Sequence, residues 1–217
     1  MKSLIFDLDG TLINSAGSIK KALLESCKIN NIVPRTPICD IKIGPPLDYI
    51  IHDIVPKKDV SRCADLRNTF MELYDDEFYK ESFLYPGVTS ALSQAAIQSD
   101  LFLITNKRIS PTIKILHHLN ILKIFKCILG CDSITASGLS KAKTISHLIH
   151  SFKLCRSDCA YLGDTETDMK ACEEAGIDFI YASWGYGEIK QATDLSYLAI
   201  TSWNDLYCAV REIDSKK

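Results

Sequence analysis

Short apolar runs alternate with amphipathic helical patterns along most of the 217-residue chain. The first run, Ser3-Leu4-Ile5-Phe6, stops at Asp7. An uncharged run of this length suits a strand buried on both faces. Residues 101–104, 127–129 and 159–162 share that character, and 177–181 and 195–200 are weaker versions of it. Between them, Ala142, Ile145, Leu148, Ile149 and Phe152 form one stripe at helical spacing. Ser110-Pro111 predicts an N-cap and a first-turn proline for the helix after the second long run. Thr165 starts another helix, and Gly176 ends it. Regular alternation of strand and helix predicts an α/β fold, with a Rossmann-like parallel sheet covered on both faces.

Residues 14–84 break that alternation. Residues 18–30 read as a helix, and Pro34, Pro37, Gly44, Pro45 and Pro46 then punctuate a turn region. Residues 60–80 form a longer helical run, with Cys63, Leu66, Phe70, Leu73 and Tyr74 on one side. No strand pattern occurs here. The expected organisation is therefore a core made of residues 1–13 and 85–217, interrupted by a helical insertion, 14–84.

Composition narrows the function classes. Hydrophobic residues make up 47% and charged residues 24%, an ordinary globular balance. Twenty-five basic against 27 acidic residues leave a net charge of −2, so no basic excess points to nucleic acid. The longest stretch without a charge, residues 82–99, contains Pro86 and Gly87 and is no membrane span. Asp7 and Asp9 interrupt the first apolar run, which does not read as a signal peptide. Nine cysteines are an odd number, and the CxxxC pairs Cys127/Cys131 and Cys155/Cys159 have no histidine cluster beside them. Reduced thiols in a cytoplasmic protein are the expectation. Oligomeric state is not encoded in any of these features.

The candidate chemistry lies where strands end. Asp7-Leu8-Asp9-Gly10-Thr11 follows the first strand, and ligands of open parallel sheets bind beyond the carboxyl ends of strands. Two carboxylates at i and i+2 are expected on one side of the chain, where repulsion raises one pKa unless a cation intervenes. The bland alternative is an Asx-rich turn. Thr105-Asn106 follows the strand at 101–104 and offers a hydroxyl and an amide to a phosphate oxygen. Lys141 opens a helix, where its charge opposes the macrodipole, so an anionic partner would suit it. Lys143 competes for the same role, and either could be an ordinary surface lysine. Asp164 follows the strand at 159–162, as Asp7 follows the first. Asp168 also matches a capping box with Thr165. A site built from Asp7, Asp9 and Asp164 would be hard and all-oxygen, which suits Mg²⁺.

In order and spacing, Asp7-Leu8-Asp9-Gly10-Thr11, Thr105-Asn106, Lys141 and Gly163-Asp164-(x)3-Asp168 resemble the four motifs of the haloacid dehalogenase-like superfamily. The helical insertion resembles that family's C1 cap. Tyr85-Pro86-Gly87-Val88, Asn106-Lys107 and Trp184-Gly185-Tyr186-Gly187 are similar to phosphoglycolate phosphatase-like members. The resemblance implies that Asp7 is a nucleophile accepting a phosphoryl group. It implies that Asp9 protonates the leaving alcohol, then activates water, with its backbone carbonyl on the metal. Thr105, Asn106 and Lys141 would hold phosphate oxygens, Asp7 and Asp164 would ligate Mg²⁺, and Asp168 would support the metal. Dehalogenase members lack an acid at the second position, so Asp9 favours phosphoryl transfer.

Three positions depart from the family pattern. Asn14-Ser15 stands where many relatives have Asp-Ser, and Lys141-Ala142-Lys143 stands where a lysine–proline pair is common. Gly44-Pro45-Pro46-Leu47 resembles the cap loop that reaches the substrate, but no arginine or lysine adjoins it. The expected activity is hydrolysis of a small-molecule phosphate ester, with phosphoglycolate the leading substrate. A sugar-phosphate mutase and a catalytically silent binding protein on the same fold are the alternatives.

Overall fold

A computed structural model describes residues 3–135, 138–189 and 197–215. In chain order its elements are β1 (Ser3–Phe6), β2 (Ile13–Asn14), α1 (Ala16–Ile29), α2 (Leu47–Ile54), α3 (Cys63–Asp76), β3 (Phe83–Leu84), α4 (Val88–Ala95), β4 (Asp100–Ile104), α5 (Ile109–His118), β5 (Cys127–Leu129), α6 (Lys141–Phe152), β6 (Cys159–Gly163), α7 (Glu166–Ala175), β7 (Asp178–Ala182), β8 (Leu198–Ile200) and α8 (Leu206–Ser215). Six of the strands form one parallel sheet in the order β5-β4-β1-β6-β7-β8.

Strand periodicity sorts the core into two layers. Leu4 and Phe6 of β1 join Leu101, Leu103, Ala160 and Leu162 against Leu92 of α4, Ile115 and Leu116 of α5, and Leu206 and Ala209 of α8. Ile5, Phe102, Ile104 and Tyr161 face the other way, onto Ile145 and Leu148 of α6 and Met169 and Cys172 of α7. Both faces are covered, which is why the central strands read as continuous apolar runs. The order reverses at β1, which lies between β4 and β6. Such a switch point opens a crevice at the carboxyl ends of the strands.

The regular structure between β2 and β3 is helical. Leu66, Phe70 and Tyr74 of α3 are buried together with Ala22, Leu23 and Cys27 of α1. Phe70 and Tyr74 stack at 5.4 Å. The chain enters and leaves this region through the antiparallel pairs Ile13–Leu84 and Asn14–Phe83. Further contacts cross to α5 and the loop before it: Arg108 pairs with Asp75 at 2.7 Å, and the Lys114 ammonium donates to the Asp75 carbonyl at 2.7 Å.

Several local expectations need correcting. Helix α5 begins at Ile109, with Arg108 as its N-cap, so Ser110 and Pro111 both lie inside its first turn. The carboxylate of Asp132 accepts the Ile109 N–H at 2.8 Å and does the capping from a distant loop. Proline is tolerated there because first-turn N–H groups have no intrahelical partner. The run at 60–80 is not one helix but α3 flanked by the 3-10 turns Lys57–Arg62 and Phe78–Glu81. The turn region also contains a helix, α2, whose Ile50, Ile51 and Ile54 are buried. Leu195 and Ser196 of the last expected strand lie outside the described residues, and β8 comprises Leu198–Ile200. The nine cysteines form no disulfide with one another. No described helix is long and apolar enough to cross a membrane.

Candidate active site

The site forms where β1, β4 and β6 end. Asp7 immediately follows β1, and its N–H donates to the Leu162 carbonyl at 2.9 Å. Asp164 immediately follows β6. The two adjacent parallel strands thus deliver carboxylates to the same edge. Asp168 lies one turn into α7, where its Oδ2 accepts the Thr165 N–H at 3.0 Å and the Thr165 hydroxyl at 2.6 Å. The capping box expected of Thr165 and Asp168 is therefore present. It occupies only Oδ2, and Oδ1 accepts from the Lys141 ammonium at 2.5 Å. Lys141 also donates to Asp7 Oδ1 at 3.1 Å.

Lys141 is the first residue of α6, whose Ser140 hydroxyl caps the helix. Its side chain is buried, with Nζ 5.6 Å from the centre of the Tyr161 ring. Lys143 is exposed. Of these two lysines, Lys141 is the one that reaches the carboxylates at the strand ends.

Asp7, Asp164 and Asp168 each place an oxygen within 4.8 Å of the others. All three residues are buried. Burial pushes the Asp7 carboxyl up to about 8; Lys141 opposes that rise, while Asp168, Asp164 and Asp9 add to it. Burial and then Asp168 push Asp164 up to about 6, against the Tyr186 N–H, the Thr11 hydroxyl and Lys141. Burial works to lower the Lys141 pKa, but Asp168 and Asp7 outweigh it and hold the ammonium above its ordinary value. One lysine among three carboxylates leaves negative charge uncompensated. An all-oxygen, buried and charge-deficient donor set of this kind fits a hard divalent cation.

Asp9 lies elsewhere. The chain leaves the strand after Asp7 and turns sharply, with the N–H groups of Leu12 and Ile13 both donating to the Leu8 carbonyl at 3.0 Å. Asp7 and Asp9 consequently do not extend together from one strand, as their i, i+2 spacing suggested. Gly10 has φ +83°, and a Cβ there would fall 2.2 Å from Asp164 Oδ2. The turn therefore needs glycine for both its conformation and its close approach. The Asp9 carboxylate is not one of the three that converge. Its Oδ1 receives the Ser15 hydroxyl and lies 3.2 Å from the Lys107 ammonium.

Thr105 follows β4 and is buried, and its hydroxyl accepts the Lys107 N–H at 3.2 Å. Asn106 is half-buried in the same turn. Lys107 was visible in the sequence only as the neighbour of Asn106. In the structure its ammonium also lies 3.2 Å from the Tyr74 hydroxyl and 4.5 Å from the centre of that ring. Burial opposes its charge, but Asp9 and Tyr74 hold its pKa above the ordinary lysine value. Thr11 was quoted with the first motif but given no role. Its buried hydroxyl donates to Asp164 Oδ1 at 3.1 Å. Gly44 approaches from the helical region, where a Cβ would touch Thr165 Cγ2 at 3.7 Å. Ser15, Tyr74 and Tyr186 were quoted in the sequence only within longer patterns and given no role at the site, because only the folded chain brings them there.

Comparison with known proteins agrees with this architecture. A family model for haloacid dehalogenase-like hydrolases matches residues 4–182. A phosphoglycolate phosphatase of Cereibacter sphaeroides is 28% identical over 193 residues, covering 86% of this chain and 87% of the relative. The tyrosine-protein kinase PtkA of Mycobacterium tuberculosis is 25% identical over 188 residues, covering 84% of this chain and 62% of that one. Among solved structures, a haloacid dehalogenase-like family hydrolase from Streptococcus pneumoniae superposes with a TM-score of 0.83 at 24% identity, covering 96% of this chain and 97% of the other. That likeness extends the match in fold across nearly the whole chain. With its family model spanning both strand-end carboxylates and the helical region between them, the chain belongs to the haloacid dehalogenase-like hydrolases.

Proposed function

We propose that the protein is a Mg²⁺-dependent phosphatase that hydrolyses a small phosphomonoester through an aspartyl-phosphate on Asp7. The observation that carries this reading is the buried group of Asp7, Lys141, Asp168 and Asp164, with Asp9 held separately by Lys107 and Ser15. The Cereibacter sphaeroides relative, a phosphoglycolate phosphatase, supports the same reading.

The chemistry follows from the arrangement. A carboxylate attacking a phosphate dianion meets repulsion of about 4 kcal/mol per unit-charge pair at 4 Å and an effective dielectric of 20. Lys141 lies within 3.1 Å of the attacking carboxylate and offsets part of that repulsion. Bound Mg²⁺, held by Asp7 and Asp164 with Asp168 in support and the Asp9 carbonyl as a further oxygen, would supply the remaining positive charge. Thr105 and Asn106 would donate to the phosphoryl oxygens. Asp7 attacks phosphorus, and the bond to the ester oxygen breaks as Asp9 delivers a proton to it. Asp9, now a carboxylate, takes a proton from water, which attacks the aspartyl-phosphate and releases phosphate. Both protein contacts to the Asp9 carboxylate fall on Oδ1. Oδ2 is thus the oxygen that would carry the proton. Residues 14–84 would act as a cap, closing over the substrate and excluding water.

Phosphoglycolate is the leading substrate. Lys107 holds a partly exposed ammonium between Asp9 and Tyr74 of the helical region, placed to meet an anionic leaving group. The second reading is a sugar-phosphate mutase, which would use the same Asp7 intermediate but return the phosphoryl group to sugar. A phosphate-release screen with Mg²⁺ over a broad set of phosphomonoesters, run beside Asp7→Asn, tests the proposal. One strongly preferred ester, inert with the variant, is expected. Isomerised sugar phosphate without phosphate release would replace hydrolase by mutase. Metal binding without turnover of any ester would favour a binding protein.

A further inference from the structure

The segment Trp184-Gly185-Tyr186-Gly187 has no part in the mechanism above, yet it is pressed against the site from behind. A Cβ on Gly185 would fall 2.1 Å from the Cβ of Asp164, and one on Gly187 would fall 2.4 Å from the Asp164 carbonyl oxygen. The loop therefore lays bare backbone on Asp164. The Trp184 indole N–H donates to the Thr11 carbonyl at 3.0 Å. Tyr186 stands between the two glycines and reaches in two directions. Its backbone N–H donates to Asp164 Oδ2 at 2.7 Å. Its phenol oxygen accepts the Ser15 N–H at 2.7 Å and the Ala16 N–H at 3.0 Å.

Those two N–H groups open α1, at the point where the chain enters the helical region. The first N–H groups of a helix have no intrahelical acceptor, and an N-cap serine commonly turns its own hydroxyl inward to serve them. Ser15 is the N-cap here, but its side chain makes no capping bond. Its hydroxyl is turned outward, onto Asp9 Oδ1. The phenol of Tyr186, 171 residues away in sequence, accepts the Ser15 N–H and shares the Ala16 N–H with the Asn14 Oδ1, which lies 3.2 Å from it. The phenol oxygen also lies 3.4 Å from the Ser15 hydroxyl.

We infer that Tyr186 is a positioning residue for the reaction: its phenol anchors the start of α1 so that Ser15 holds Asp9, while its backbone holds Asp164. This rests on the phosphatase reading given above. It adds a single residue that ties the start of α1 to Asp9 through its phenol and Ser15, and to Asp164 through its backbone.

Tyr186→Phe removes only the phenol oxygen. The N–H on Asp164 and the glycine contacts remain. The expected result is a fall in kcat of about tenfold, the scale of one lost buried hydrogen bond, with KM and half-saturating Mg²⁺ within about twofold of the parent. Ser15→Ala should lower kcat comparably, and the double variant should be no worse than either single change, because both act on one path. Amide exchange at Ser15, whose N–H the phenol accepts, followed by mass spectrometry on the unreacted protein, should quicken about tenfold in Tyr186→Phe. Unchanged exchange would overturn the hinge contact whatever the enzyme turns over. Unchanged kcat, additive losses, or a parallel fall in kcat, KM and Mg²⁺ affinity would overturn the positioning role. If the parent protein releases no phosphate from any ester, the phosphatase reading fails, and the exchange rates still decide the hinge contact.

Discussion

Asp7 and Asp9 are two residues apart, but they belong to different environments. Asp7 is buried at a strand end, faces two other carboxylates, and shares one ammonium with Asp168. Asp9 lies past a sharp turn and is held on one oxygen by Ser15 and Lys107, the latter also touching Tyr74 of the helical region. On the proposed mechanism, these surroundings divide a labour that composition alone would leave equal. Asp7 sits where positive charge can be concentrated, which suits attack on phosphorus. Asp9 sits within reach of the helical region through Lys107 and Tyr74, which under the proposed phosphatase reading suits proton transfer timed to closure.

Substitutions in the two groups should separate these roles. Asp7→Asn should give the largest effect, a loss in kcat on the order of 10⁴-fold or more, because an amide is a poor nucleophile. Asp9→Asn should cost about 10²–10⁴-fold, the range for a general acid–base group. It should also leave a slowly hydrolysed phosphoenzyme, detectable by intact mass after an activated aryl phosphate is supplied. A phosphoenzyme formed by Asp7→Asn at the parent rate would exchange the two roles. Lys141→Ala should lower kcat/KM by about 10²–10³-fold, whereas Lys143→Ala should stay within about twofold. The reverse ranking would remove Lys141 from the site. Lys107→Met keeps the length and loses the charge-assisted bond to Asp9, a contact worth about 1.5–3 kcal/mol. A 10- to 100-fold loss in kcat is expected, with Mg²⁺ dependence unchanged. A shift in half-saturating Mg²⁺ would instead place Lys107 with the Asp7 group.

Much of this was legible in the chain. The strand-end acids Asp7 and Asp164, each preceded by an apolar run, marked the crevice, because a buried parallel strand has a pattern that survives without its neighbours. Lys141 was a candidate by its electrostatic misfit at a helix start, with Lys143 competing until the fold separated them. What escaped depends on contacts between distant segments. The capping of α5 by Asp132 could not be read from Ser110-Pro111, since local cap chemistry is only one of the ways to satisfy a helix end. Tyr186 and Ser15 meet across 171 residues. Asp168 looked like either a cap or a metal-supporting residue, and its two oxygens divide between Thr165 and Lys141. Helix α2 was hidden behind consecutive prolines, which start a helix as readily as they end one.

The smallest effect concerns stability in the absence of metal, and it bears on Asp7 most directly. Asp7 and Asp164 rise from 3.8 in the unfolded chain to about 8 and about 6 when folded. A carboxyl with a raised folded pKa binds more protons in the native state, so its contribution is fully present below about 4 and is lost as pH rises through the folded value. Between about pH 4 and 8 these two groups should therefore make the metal-free protein progressively less stable. Other carboxylates titrate in the acid part of that range, so the difference between Asp7→Asn and the parent isolates the Asp7 contribution. In chelator, the Tm of Asp7→Asn minus that of the parent should grow from pH 5 to pH 8 by about a few degrees. Mg²⁺ competes with the proton for the same oxygens, so its stabilisation of the parent should be larger at pH 8 than at pH 5. Asp9→Asn should leave both trends in place, since its carboxylate faces Ser15 and Lys107 instead of the acidic group. A difference in Tm that is flat with pH would show that the Asp7 group does not hold its proton, and the contrast between the two aspartates would then rest on their kinetics alone.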